Sequence, residues 1–198
     1  MSGRGEAPAR EASAGLLLAA GSGSRLGTPK ALVELRGERL VDRGVRLLRD
    51  GGCHPVVVVL GAAAAQVRGA VTVGNPRWRS GMGSSLRVGL DALPSDAARV
   101  VIALVDQPFI GPQAVRRLIR AAREGASVAV ATYGGAPRNP VLIAREHFAE
   151  VAALAVGDVG ARPFLRAHPE LVVRVACDDV GDPADIDTPA DLSELRAR

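Results

Sequence analysis

Leu16-Leu-Leu-Ala-Ala-Gly-Ser-Gly-Ser-Arg-Leu-Gly-Thr-Pro-Lys30 decides how this chain is read. An apolar run of strand length, Gly15 to Ala20, gives way at once to three glycines, an arginine and a lysine. Gly21, Gly23 and Gly27 let backbone N–H groups approach an anion closely. Arg25 and Lys30 add two positive charges. Thr28, before Pro29, is held extended, so no helix starts there. A dinucleotide-binding turn differs, because its glycines open directly into a helix. A Walker-type loop needs Gly-Lys-Ser/Thr, whereas Lys30 follows Pro29. The spacing Gly21-x-Gly23-x-x-x-Gly27 also fits one style of reductase loop, whose catalysis uses a Tyr with a Lys four residues later. The only Tyr is Tyr133, residue 137 is Pro, and there is no second Lys, which argues against that class.

Lys30 stands out for a second reason. The chain holds 25 basic side chains, and all but Lys30 are Arg. A background so biased implies that Arg would not serve at position 30. Arg is a planar fork, whereas Lys delivers a compact charge on a flexible stem, as a phosphate-cradling loop requires.

The 198 residues suit one domain, expected over 14–198, after a disordered N-terminal tail over 1–13 that is small, charged and Pro-containing. Aromatic residues make up only 3%, which argues against stacking platforms for single-stranded nucleic acid. The net charge of +4 suits small anionic substrates. Arg43, Arg46 and Arg49, like Arg116, Arg117, Arg120 and Arg123, recur at helical spacing and read as solvated faces, so no nucleic-acid partner is expected. Cys53 and Cys177 lack zinc-type spacing, and His54, His147 and His168 form no cluster. Any metal should therefore be hard and oxygen-bound, such as Mg²⁺. No apolar run is long enough to span a membrane and no signal-peptide pattern is present, so no membrane partner and a cytoplasmic location are expected.

Strand-length apolar runs alternate with helical-period segments. Strands are expected at Gly15–Ala20, Pro55–Leu60, Val71–Gly74, Val100–Val105, Ser127–Thr132, Val141–Ala144 and Leu171–Ala176. Helices are expected at Leu40–Asp50, Ala62–Arg68, Ser84–Leu93, Pro112–Arg123, Glu146–Leu154, Ala161–Ala167 and Pro189–Arg196. Gly111-Pro112 places Pro in a first turn, Ser84 or Ser85 can cap the third helix, and Thr188-Pro-Ala-Asp191 resembles a capping box. Such alternation predicts an α/β fold with a mostly parallel sheet and helices on both faces. Tyr133-Gly-Gly-Ala-Pro137 adds a turn and a small antiparallel pair. Ligands of such sheets bind beyond the carboxyl ends of the strands. Three polar segments fall there: Gly21–Lys30, Asn75–Ser85 and Asp106-Gln107-Pro108.

Asp106 ends the buried run Val100–Val105, where a hard cation and its phosphates would dock. Alternation in Asp185-Ile186-Asp187 puts both carboxylates on one side with Ile186 facing the core, and two such acids repel unless a cation or donors intervene. Asp178, Asp179 and Asp182 read as solvated. Gly157-Asp158-Val-Gly160-Ala-Arg162 reads equally as an anion-facing turn or a helix cap. Asn75-Pro-Arg77-Trp78-Arg-Ser80-Gly-Met-Gly83-Ser-Ser85 ends at a helix N-terminus, a natural site for an anion. Trp78 either covers a ligand ring or packs.

These residues resemble the nucleotidyltransferases acting on the molybdenum cofactor. The opening stretch is similar to their LAAG-x(3)-R-x-G-x-P-K signature. Asn75-Pro with Gly81–Ser85, Asp106-Gln107-Pro108, Pro140, Gly157–Arg162 and Asp185–Leu192 follow in order. The resemblance implies a Rossmann-like three-layer nucleotidyltransferase fold and Mg²⁺-dependent transfer of CMP from CTP to the phosphate of molybdopterin, releasing pyrophosphate. Ala20, where the guanylyl branch usually has a second Gly, and Asp185-x-Asp187, where it tends to carry Asn, favour CTP. On this resemblance Lys30 and Arg25 are catalytic. Leu18, Ala19, Ala20, Gly21, Ser22, Gly23, Ser24, Asn75, Gly83, Ser84 and Ser85 bind nucleotide. Asp106 holds the metal, with Asp187 as second ligand and Asp185 as its alternative. A molybdoenzyme or its maturation factor is the implied protein partner. Two other readings stay open: transfer to another phosphorylated acceptor (a sugar phosphate or phospho-acid, from GTP or another NTP), and a delivery chaperone without turnover.

Overall fold

Residues 12–197 are described by a computed structural model, with side chains placed through residue 194. In chain order the elements are β1 (Ser13–Ala19), β2 (Glu34–Leu35), β3 (Glu38–Arg39), α1 (Leu40–Asp50), β4 (Val56–Leu60), β5 (Val71–Gly74), α2 (Met82–Asp91), β6 (Arg99–Leu104), α3 (Pro112–Arg123), β7 (Val128–Tyr133), β8 (Ala136–Ala144), α4 (Phe148–Leu154), α5 (Arg162–Ala167), β9 (Val172–Ala176) and α6 (Pro189–Ala197). Seven strands form one sheet in the order β5-β4-β1-β6-β8-β7-β9, while β2 and β3 form a separate two-stranded hairpin. All pairs of the large sheet are parallel except those made by β8, which runs against both β6 and β7.

The continuous apolar strands are buried on both faces, as expected for a sheet sandwiched between helices. Alternation along β1 sends Leu16 and Leu18 to one core and Leu17 and Ala19 to the other. The Leu17 face packs against Val41, Val45 and Leu48 of α1 and Val115 and Leu118 of α3. The Leu16 face packs against Leu86 and Leu90 of α2, Val151 of α4 and Phe164 of α5. Three layers result, as the alternation predicts.

Gly134-Gly135, at φ +55° and +73°, makes the two-residue turn between β7 and β8. Pro140 falls where the β7–β8 register shifts between Val130 and Ala131, so its missing N–H removes no ladder bond. Pro112 opens α3 at its first turn. At α6, Thr188 N–H donates to Asp191 Oδ2 (2.8 Å) and Asp191 N–H donates to Thr188 Oγ1 (3.2 Å), a reciprocal capping box.

Two expectations need correction. Residues 62–68 form bends and a turn rather than a helix. Their four alanines have helix propensity, but seven residues are too short to hold a helix unaided. Tertiary bonds claim the backbone instead: Ala62 N–H donates to Ala20 O (3.2 Å), and Arg39 Nη2 donates to Gln66 O (2.9 Å). Neither Ser84 nor Ser85 caps a helix, because α2 begins earlier, at Met82 after Gly81. The tail expected over 1–13 lies outside the described residues up to residue 11, and Ser13 already belongs to β1. Among the described residues, no helix is long and apolar enough to cross a membrane.

Candidate active site

The carboxyl ends of β1, β5 and β6 lie on one rim of the sheet, and the loops that leave them build a cleft of about 310 Å³. The first loop runs from Ala20 to Pro29. Gly23 sits at φ +59°, and a Cβ there would stand 2.0 Å from Thr28 O, so only Gly lets the loop close on itself. Closure is completed by Leu26 N–H to Gly23 O (2.8 Å) and Lys30 N–H to Gly21 O (3.4 Å). Pro29 precedes a single 3-10 turn, Lys30–Leu32, whose Ala31 is buried. That anchor fixes the root of the Lys30 side chain.

Lys30 is the hub of the site. Its Nζ donates to Asp106 Oδ2 and to Asp187 Oδ1, each at 2.6 Å. Asp106 extends from the end of β6. Asp187 arrives from 157 positions away, on the extended segment before α6. That segment is pinned by Ile186 N–H to Asp106 O (2.8 Å), and the Ile186 side chain is fully buried. Gln107, itself buried, donates through Nε2 to Asp185 Oδ1 (2.8 Å) and to Pro183 O (3.3 Å). The two carboxylates therefore have different partners: Asp187 faces Lys30, and Asp185 faces Gln107. Arg25 Nη1 reaches Asp187 Oδ2 only at 3.9 Å, and its side chain is 72% exposed, placing it at the rim.

The electrostatics follow from these contacts. Burial lowers the Lys30 pKa, but Asp106 and Asp187 outweigh it, and the ammonium is held above the usual lysine value. Burial pushes the Asp185 carboxyl above the usual carboxylate range, and its neighbours Asp106 and Asp187 add to the rise, while Gln107 and Lys30 oppose it. Asp106 Oδ1 is buried and has no hydrogen-bond donor.

The opposite wall comes from the loop before α2. Asn75 is buried and spends its side chain internally, donating to Ser84 Oγ (2.8 Å) and Ser85 Oγ (2.9 Å) and accepting from Arg77 N–H (3.0 Å). Ser84 Oγ in turn donates to the carbonyls of Arg77 and Gly81. Gly81 sits at φ +104°, and a Cβ there would stand 2.3 Å from the Gly157 backbone. Gly83 N–H donates to Gly157 O (2.9 Å), so the 157–158 turn is strapped to this loop. Trp78 and Arg79 line the cleft, with the guanidinium carbon 4.5 Å from the indole centroid.

Of the residues singled out by sequence, Leu18, Ala20, Gly21, Ser22, Lys30, Ser85 and Asp106 line this cleft together, and Asp187 joins through Lys30. Ala19 points into the core beneath α1 and α3. Gly23 and Ser24 shape the loop beside the cleft, and Asn75, Gly83 and Ser84 brace its wall from behind. Sequence reasoning missed Leu104 and Val105, which read only as core, and Met82 and Arg79, which carried no separate signal. Asp158, read as equally a cap or an anion-facing turn, lines the cleft.

The sequence matches the MobA-like NTP transferase domain over residues 15–172. The chain belongs to this family. A relative from Paenarthrobacter nicotinovorans, named nicotine blue oxidoreductase, is 40% identical over 91% of this chain and 95% of its own length. A molybdenum cofactor guanylyltransferase from Rhodobacter capsulatus is 31% identical over 93% and 95%. The crystal structure of an Rv0371c homologue from Mycobacterium sp. strain JC1 superposes with a TM-score of 0.81 at 32% identity, covering 96% of each chain. Rv0371c of Mycobacterium tuberculosis H37Rv, in complex with manganese, gives 0.79 at 27% identity, covering 94% of this chain and 98% of its own. This MobA-like chain is thus a nucleotidyltransferase by family, with the Rossmann-like fold that its sequence led us to expect. The relatives do not agree on one base or one reaction.

Proposed function

We propose that the protein transfers a nucleotidyl group from an NTP to the phosphate of a molybdopterin-type acceptor and releases pyrophosphate. Lys30 carries this proposal: the only lysine sits at the rim of a parallel sheet, between a glycine loop and two carboxylates. The acceptor phosphate attacks the α-phosphorus and pyrophosphate leaves in line, so the protein must mainly position groups and neutralise charge. Backbone N–H groups of Ala20 to Ser24 cradle phosphate oxygens. Lys30 stabilises the negative charge that develops on the triphosphate, and Arg25 meets it from the rim. A phosphate nucleophile is already an anion and needs no general base.

A divalent cation, Mg²⁺ in this reading, fits Asp106 and Asp187. Asp106 Oδ1 is buried with no donor, so protein groups leave this carboxylate only partly satisfied. Among the described residues no cluster of three or more His, Cys, Asp or Glu could hold a metal, so remaining ligands would come from phosphates and water, as Mg²⁺ prefers. Such an ion would supply Lewis-acid neutralisation of the phosphate oxygens.

Cytidylyl transfer is the preferred version. Ala20, a cleft-lining residue, stands where the guanylyl branch usually has a second Gly, which favours CTP. The guanylyltransferase relative favours GTP instead. Pyrophosphate release from CTP, GTP, ATP and UTP, with molybdopterin and with a sugar phosphate as acceptors, decides both base and acceptor. No release from any pairing overturns the transferase reading, and tight NTP binding without release points to a delivery chaperone. The oxidoreductase name of the relative 40% identical to this chain favours a second reading, reductive use of the same cleft. Oxidation of a nicotinamide cofactor with matched reduction of an added dye such as nicotine blue, followed by absorbance, would support it.

A further inference from the structure

We infer that Lys30 has a second role at this site: its ammonium is a stand-in cation that keeps the Asp106–Asp187 pair closed to a bare divalent ion and opens it to an ion arriving with its nucleotide. This inference rests on the metal assignment proposed above and concerns how that metal is admitted. Lys30 Nζ binds Asp106 Oδ2 and Asp187 Oδ1 at 2.6 Å each, so one charge occupies the space between the two carboxylates that would share a metal. The bridge is sheltered at Lys30 and Asp106, whose side chains are 15% and 20% exposed, and open to solvent at Asp187, 44% exposed. Ion pairs in such a setting are screened less than surface pairs.

A bare cation must therefore displace the ammonium, and the displaced charge would stand in a part-buried cleft with no partner. A cation–nucleotide complex imposes no such loss. As its metal takes the carboxylates, its triphosphate takes Lys30, and each charge exchanges one partner for another. Arg25 is too distant from Asp187 and too exposed to substitute for the bridge. The arrangement also suggests a reason for Lys at this position. A guanidinium fork would hold both carboxylates bidentately and release them poorly, whereas an ammonium on a flexible stem can swing between carboxylate and phosphate.

Two measurements test this without turnover. Electron paramagnetic resonance follows Mn²⁺ binding to nucleotide-free protein as wild type, Lys30→Met, Lys30→Arg and the double variant Lys30→Met/Asp106→Asn. The expected result is at least tenfold tighter Mn²⁺ binding for Lys30→Met. Lys30→Arg should bind Mn²⁺ no more tightly than wild type, and the double variant should lose the gain. Equal or weaker binding by a folded Lys30→Met variant overturns the inference, as does a gain that survives Asp106→Asn.

The second measurement needs no variant. Lys30 is the only lysine, so acylation by an amine reagent, mapped by mass spectrometry, reports on this one side chain. Saturating Mn²⁺ should free the ammonium and speed its labelling severalfold. An unchanged rate at Mn²⁺ saturation, or no Mn²⁺ binding by any form, refutes the stand-in role. Pyrophosphate release by the wild type reports separately on nucleotidyl transfer, so the two failures are distinguishable.

Discussion

At the scale of single side chains, the proposed chemistry rests first on Lys30. Losing one preorganised donor to a transition-state charge typically costs about 10²–10³ in rate. Lys30→Ala should lower pyrophosphate release by that factor, with circular dichroism checking that the fold survives. Retention of more than a third of wild-type turnover would remove Lys30 from the mechanism. Asp185 gives a prediction of opposite character. Burial and two acidic neighbours raise its pKa, so its charged form is the unfavourable one in the fold. The stability this group contributes is present below the ordinary carboxylate pKa and is lost as pH rises through the raised value. Asp185→Asn keeps an acceptor for Gln107 and removes the charge. It should raise Tm at pH 7 to 8, by a small margin, because Asp185 is exposed and solvent screens its charge. The gain should vanish near pH 3, where the wild-type carboxyl is protonated. A gain that is the same at both pH values would rule out this electrostatic account.

At the scale of elements, loops are held by tertiary contact, and α3 and α6 start where local chemistry tells them to. Thr188 and Asp191 close their capping box, and Pro112 opens α3, because both devices are complete within one turn of chain. The Ala62–Arg68 segment had only propensity in its favour, and bonds to Ala20 and Arg39 overrode it. The loop before α2 is the most sensitive of these elements. Gly81 needs its positive φ and its close approach to Gly157 at once. Gly81→Ala should push the 157–158 turn outward, lower Tm by several degrees and weaken NTP binding at least tenfold. Differential scanning fluorimetry and isothermal titration calorimetry would check the two effects, and unchanged values in both would show that this wall is not rigid.

Over the whole molecule, a sheet buried on both faces supplies a stiff platform, and the cleft hangs from its carboxyl rim on loops from β1, β5 and β6. Binding an NTP to the folded form alone should therefore stabilise the entire domain. At 100 times its dissociation constant a ligand adds about 2.7 kcal/mol, worth roughly 5–10 °C in Tm for a chain of this length. A thermal-shift series of CTP, GTP, ATP and UTP with Mg²⁺ should show that rise for the preferred base. Absence of any shift would argue that the cleft takes no nucleotide. Much of this architecture was legible beforehand. The Val/Ile/Leu runs announced buried strands, the glycine loop marked the rim where the cleft opens, and Tyr133-Gly-Gly announced the β7–β8 turn, because each signal lies within a few residues. The cleft walls were harder to read. Leu104 and Val105 look like any core residue, and Arg79 looks like any surface arginine, until the loop before α2 folds over them.

The sequence by itself determined the alternation of strands and helices, the glycine loop with its single lysine, and the acids that end two of its segments. These are local facts of spacing, backbone freedom and burial pattern. Only the tertiary structure decided which acid meets which base. Lys30 meets Asp187 across 157 positions and leaves Asp185, two residues earlier, to Gln107. That choice depends on how the last extended segment seats Ile186 against Asp106, and no local propensity encodes a contact between chain ends.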